Sequence, residues 1–247
     1  MTPVRLFRAR VARLVVPAGP HDTPGASVVR PIVFGASDGL VSNLALVMGV
    51  GAAAGDDAGA VLIAGIAGLL AGAFSMAVGE YISVRSQREV LDHQVQLQRT
   101  QLADDPAAEA AILTSIYLTR GLSRAEADLI VGRVMTDPQL ALDTFVREEI
   151  GLSEGTMGSP AAAAGSSFLA FALGAVIPVI PYVLLVGPAA FWSSLVASTV
   201  ALFAVGAAVS VLTHRPPLMV GARQAALGLA AAAVTYAIGA LVGASVA

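Results

Sequence analysis

The sequence predicts an all-α membrane protein: five transmembrane helices, with a cytosolic helical insert between spans two and three. Three observations carry this. The 247 residues are 56% hydrophobic and only 13% charged, with a mean hydropathy of +0.78, too apolar for a soluble domain of this length. The charges are segregated, clustering at residues 85–154 and vanishing from Gly155 to Thr213. No run of residues alternates with the period of a strand, while helix start and stop signals recur through the charged segment.

Residues 1–30 read as a cytosolic tail. "MTPVRLFRARVARLVVPAGP" is basic and partly apolar, but its apolar run LVV is too short for the core of a signal peptide. Residues 31–85 hold the first two spans, over 31–54 and 59–84; about 20 mostly apolar residues suffice for each. Residues 86–160 form the insert. Within it Asp105-Pro106 reads as an N-cap followed by a first-turn proline, and Gly121 as the next stop. "SRAE" at Ser123–Glu126 is a capping box. Asp137-Pro138 opens a further helix that Gly151 ends. Residues 161–247 carry spans three to five, with "VGPAAF" at Val186–Phe191 as the turn between three and four, and 224–247 as span five.

Five spans put the termini on opposite sides. With the N-terminus inside, all 14 basic residues, every one an arginine, fall on the inner side, and the outer side receives Asp56 and Asp57. Cytoplasmic loops favour arginine, so the N-terminus is expected in the cytosol and the C-terminus outside. Exclusive use of arginine points to a GC-rich bacterial genome, so the expected location is a bacterial plasma membrane. The net charge of −3 and the lack of a basic stripe exclude nucleic acid as a main partner. Without cysteine there are no disulfides and no thiolate metal sites.

One carboxylate stands out. Asp38, in "GASDGLVSN", is the only charge between Pro31 and Ala54. Intramembrane acids are expensive and usually face a bundle interior or a wet cavity. At about 1.5 Å per residue, Asp38 lies roughly 12 Å from the inner end of span one, Met76 roughly 13 Å from that of span two, and Glu80 roughly 8 Å. A hard oxygen level with a thioether suits a borderline divalent metal ion. Each residue also has a plainer reading. "SDG" marks a helix break that Asp38 caps, Met76 is ordinary packing, and Glu80 sits among headgroups. Glycines four apart, Gly35/Gly39 and Gly68/Gly72, permit close helix approach, here expected at a dimer seam. No zinc-type histidine pair or second carboxylate level with Asp38 supports an intramembrane enzyme, so no catalysis is expected.

In order along the chain, "FGASDGLVSNLALVMGV", "AGAFSMAVGEYISVRSQRE", "DP" with "IYLTRGLS", "DPQLALDTFVREEIGL" and "FLAFALGAVIPVIPY" resemble the vacuolar iron transporter family, over residues 31 to about 245. The resemblance implies a five-span homodimer with a pathway lined by spans one and two. It implies export of Fe²⁺, often also Mn²⁺, from the cytosol in exchange for protons, the metal being cargo and not a cofactor. Carried over by motif, Asp38 and Met76 are pathway ligands, Glu80 is an inner-end carboxylate, and Asn43 is a weaker candidate. Where some members carry a glutamate two turns before the methionine, this chain has Gly68. The metal-holding positions of the insert correspond to Gln98, Gln101, Glu109, Ile112, Phe145, Val146 and Glu149, of which Glu109 and Glu149 alone keep a carboxylate and none keeps a methionine. Neighbouring Asp92, His93, Asp104, Asp105 and Glu148 offer substitute ligands or form a solvated face. The other reading is a non-transporting membrane protein whose insert binds a partner or senses metal.

Overall fold

A computed structural model describes residues 26–55, 57–150 and 159–246, and no strand occurs among them. Residues 1–25 of the predicted tail, Asp56 and the stop at Gly151 lie outside the described residues. Two compact units emerge. Residues 26–84 and 159–246 make an apolar unit; residues 85–150 make a polar one.

The apolar unit holds α1 (Ala26–Ala54), the first part of α2 (Ala58–Asp104), α6 (Pro160–Val176), α7 (Ile180–Leu184), α8 (Pro188–Thr213) and α9 (Pro217–Val246). Four of these, α1, α2, α8 and α9, are long and apolar enough to cross a membrane. α6 is not: its 17 residues extend about 26 Å, short of a hydrocarbon core of roughly 30 Å. The third predicted span is therefore a broken element, α6 and α7 separated at Ile177–Val179. Pro178 supplies no N–H at the break, and Pro181 sits in the first turn of α7. The predicted turn is present, with Gly187 at φ 62° and Pro188 opening α8.

Three other boundaries shift. α1 begins at Ala26, five residues before the predicted span. α9 begins at Pro217, so Arg223 is a helix residue and not part of the preceding loop; that loop turns at His214, in the left-handed region at φ 51°. And α1 runs unbroken through Ser37, Asp38 and Gly39, which removes the reading of Asp38 as the cap of a half-helix.

α1 is the central post. Of its membrane window 44% is buried, against 17% for those of α2 and α9. Its contacts are made by small residues, because without a hydrophobic drive in lipid, close backbone approach is what holds helices together. Gly35 and Gly39 lie against the α6 backbone at Ser167 and Phe171, and Gly174 of α6 lies against Ala36. On another side Gly49 and Ala53 meet Gly239 and Gly243 of α9, and the Thr235 hydroxyl donates to the Ala45 carbonyl at 2.8 Å. The Gly35/Gly39 pair is thus spent inside the protomer, correcting its assignment to a dimer seam. Val41 likewise faces Gly228 of α9. A core of Leu40, Leu44, Val47, Met48, Val61 and Leu202 fills the space between.

In the polar unit the predicted punctuation is realised. Asp105 caps α3 (Pro106–Thr119) by accepting from the Ala108 N–H at 2.9 Å. Gly121 follows it at φ 93°. Ser123 and Glu126 complete both arms of a capping box at the start of α4 (Arg124–Val134). Asp137 caps α5 (Pro138–Phe145), which continues as a π-helical segment over Val146–Ile150. Leu113, Val131 and Phe145 form the core of this unit.

Candidate metal site

α1 and α2 run antiparallel, and three contacts fix their register. The Asn43 amide donates to the Gly65 carbonyl at 3.1 Å. A Cβ on Gly65 would meet Val47 at 3.2 Å, and one on Gly68 would meet Leu46 and Asn43. Continued inward at equal rise, this register sets Asp38 opposite roughly residue 73. Phe171 of α6 marks the same level from both sides, its carbonyl against Gly39 and its ring against Gly72. Met76 lies one turn below, about 4.5 Å further in, and Glu80 one turn below that. The depth match expected between Asp38 and Met76 therefore holds to within a helical turn.

Asp38 is half-buried, midway along α1. One turn on either side stand Phe34, 62% exposed, and Ser42, also exposed. Phe34, Asp38 and Ser42 thus form a little-covered stripe along the middle of α1. Ser42 donates its hydroxyl to the Asp38 backbone carbonyl at 2.6 Å, leaving the carboxylate unengaged. No hydrogen bond or ion pair reaches that carboxylate among the described residues. An acid in this position needs a partner that the protomer does not supply.

Met76 is partly buried in a cluster built on Ala73, Phe171 and Ala175, with Leu69, Phe168 and Ala172 around it. Packing and a ligand role coexist in such a side chain, since the thioether is soft and adaptable. Glu80 is partly exposed, and its neighbour Gly79 faces open space.

The polar unit brings its predicted residues together differently. Glu109 is buried and accepts from the Gln98 amide at 3.0 Å. Phe145 and Val146, where the resemblance implies methionines, are buried apolar residues, and Ile112 packs on the same core. Asp105 is occupied as a helix cap and Glu148 forms an ion pair with Arg120. Burial pushes the nearby Tyr117 hydroxyl above its usual range; Glu148 adds to that, while Arg120 and Arg147 oppose it. Asp92, His93 and Asp104 are exposed. Among the described residues no three His, Asp or Glu side chains converge as a metal cluster. The side chain of Glu149 lies outside what the structure describes.

Sequence reasoning missed the weight of Asn43. It is 1% exposed and reaches two other helices, donating to Gly65 of α2 and, at 2.6 Å, to Ala175 of α6. A lone asparagine in an apolar span was the available signal.

Comparison with known proteins agrees with this geometry. A family model described as the VIT family matches residues 29–240. Vacuolar iron transporter 1 of Arabidopsis thaliana is 33% identical over 220 residues, covering 87% of this chain and 86% of the relative. Vacuolar iron transporter 2 of Oryza sativa subsp. japonica is 30% identical over 217 residues, 87% of each. The vacuolar iron transporter of Acanthamoeba castellanii is 36% identical over 155 residues, 63% of this chain and 55% of the relative. With most of its length matched by the family model and by relatives above 30% identity, the chain belongs to the VIT family, that of the vacuolar iron transporters.

Proposed function

We propose that this membrane protein exports Fe²⁺, Mn²⁺ or both from the cytosol in exchange for protons, acting as a homodimer. The observation that carries the reading is Asp38: a mid-helix carboxylate, without a partner in its protomer, on the little-covered stripe of α1 and within a helical turn of the level of Met76. A second copy laid against that stripe would shield Asp38 from lipid and bring a second carboxylate and thioether to the same level. A carboxylate binds a divalent ion in its ionised form, so metal arriving from one side displaces a proton. That competition is the physical basis of exchange. Met76 supplies a soft donor, which favours Fe²⁺ and Mn²⁺ over Ca²⁺ or Mg²⁺, and Glu80 collects ions at the inner end.

The names of the relatives support iron as cargo. The broken α6–α7 element, counted as one, gives five spans, and the inner placement of every arginine supports a cytosolic N-terminus and an outer C-terminus in a bacterial plasma membrane. Glu109 and Glu149 act as weak metal contacts of a cytosolic insert whose former thioether positions are now apolar core.

The test is metal flux in proteoliposomes with and without a pH gradient. Asp38→Asn keeps the shape and removes the titratable charge; it is expected to abolish flux of both metals while leaving expression and oligomeric state unchanged. Wild-type flux with unchanged pH dependence in that variant would remove Asp38 from the mechanism.

A further inference from the structure

The break in the third span leaves carbonyls to be satisfied. In an unbroken helix the N–H of residue 178 would bond the Gly174 carbonyl, but residue 178 is proline; Ile177 takes that acceptor at 3.3 Å. The N–H of Val179 turns to the Val176 carbonyl at 3.0 Å instead of Ala175. Tyr182 bonds Val179, which leaves the Pro178 carbonyl free as well. Both stranded acceptors lie in apolar surroundings, where an unpaired carbonyl is costly. Side chains from other helices reach them. Ser194 of α8 donates to Pro178 at 2.7 Å, and Asn43 of α1 donates to Ala175 at 2.6 Å.

Asn43 does more than cap. Its amide nitrogen carries two hydrogens, and both are committed, one to Ala175 of α6 and one to Gly65 of α2. Two carbonyls around one amide nitrogen fix its orientation, so the oxygen must turn the other way. That oxygen is buried with no hydrogen-bond partner, and it points at Gly68, where a Cβ would stand 2.8 Å from it. Glycine at 68 therefore leaves room for the Asn43 amide oxygen and for Leu46, whose side chain such a Cβ would meet more closely still. The same side chain joins α1, α2 and the broken α6 five residues, about 7.5 Å, outward of Asp38.

We propose that Asn43 is a positioning residue for metal transfer: its amide locks α2 and the proline-broken α6 onto α1, and so holds Met76 in register with Asp38. The proposal rests on the transport reading for its consequence, and on the hydrogen bonds alone for the lock. Asn43→Leu keeps the branched shape and the number of side-chain heavy atoms and removes both donors. Hydrogen exchange on the purified protein in detergent is expected to quicken at residues 65–72 and 175–182, with the rest of the chain protected as before. In proteoliposomes the same variant is expected to raise the KM for Fe²⁺ roughly tenfold, the size typical of a lost supporting contact behind a metal ligand, with the maximal rate changed far less. Unchanged exchange in those two segments overturns the lock whatever the flux does. Quickened exchange with an unchanged KM overturns the positioning role. If wild-type protein moves no metal, the transport reading fails, while the exchange result still decides the lock. Should Asn43→Leu not fold, Asn43→Leu with Pro178→Ala carries the test. Alanine at 178 returns an N–H and lets α6 continue, so the Ala175 carbonyl is satisfied within its own segment and folding is expected to recover. A double variant as defective as the single one overturns the proposal.

Discussion

Gly39→Ala probes one of the close backbone contacts that hold the central helix. A Cβ at residue 39 would stand 2.9 Å from the Ala175 nitrogen and 3.0 Å from the Phe171 carbonyl carbon, with the Phe171 oxygen nearer still. All three are backbone atoms of α6, so no rotamer change relieves them. To restore ordinary van der Waals separation the two helices must part by about 1 Å, and forced overpacking of this kind costs about 1–3 kcal/mol; rigid backbone on both sides puts it at the upper end. Alanine returns about 1 kcal/mol of helix propensity, leaving a net loss of about 2 kcal/mol. Gly165→Ala is the matched control, on α6 with nothing within 4 Å of the added carbon. It receives the propensity gain alone, so the two variants are expected to differ by about 3 kcal/mol. Unfolding by SDS titration in mixed micelles, followed by the fluorescence of Trp192, the single tryptophan, measures both. Variants within about 1 kcal/mol of each other would refute the backbone-to-backbone packing of α1 on α6.

Two further outcomes are expected. Ser194→Ala strands the Pro178 carbonyl in a buried site and is expected to cost about 2 kcal/mol in the same titration, whereas Ser245→Ala, on an exposed hydroxyl that bonds only within its own helix, is expected to be neutral; equal effects would remove Ser194 as a cap of the break. In the capping box, bonds from the Ser123 hydroxyl and backbone hold the Glu126 carboxyl below its ordinary value of 4.5. A depressed folded pKa means that the contribution is complete above that value and fades as pH falls through the folded one, so exchange protection at the start of α4 is expected to weaken from about pH 5 downward. Glu126→Gln is expected to show no such trend over that range, and a parallel decline in both proteins would show that another group governs it.

Much of this was legible in the chain because local chemistry announces local structure. Asp105-Pro106, the Ser123–Glu126 box and Asp137-Pro138 each bond within three residues, so their helices begin where the sequence expects. The four long apolar helices follow from hydropathy, which registers nothing but composition. It is blind for that reason to the Pro178 break, where "IPVIP" is as apolar as a continuous span. It also stopped span five short of Arg223, because a charge at a helix end reads as loop while an arginine there can reach the interface with its head. The depth of Asp38 against Met76 was readable from helix rise, but the partner of Gly35 and Gly39 was not. Small residues mark a close approach without saying to what. The role of Asn43 was the least accessible, since its acceptor lies 132 residues away.

That separation also sets a schedule for assembly. α1 reaches the membrane early in synthesis, but the Ala175 carbonyl that holds Asn43 is made 132 residues later, and the Thr235 hydroxyl that ties α9 to Ala45 comes 190 residues after its acceptor. At about 5–20 residues per second, α1 waits roughly 7–26 s for the first and 10–38 s for the second. Throughout that interval α1 lacks its α6 and α9 partners, with Asn43 holding no acceptor beyond Gly65 of α2 and the glycine flanks bare. A nascent chain arrested before residue 175 is expected to remain with the insertion machinery, and release into the bilayer is expected to follow the emergence of α6 rather than of α1.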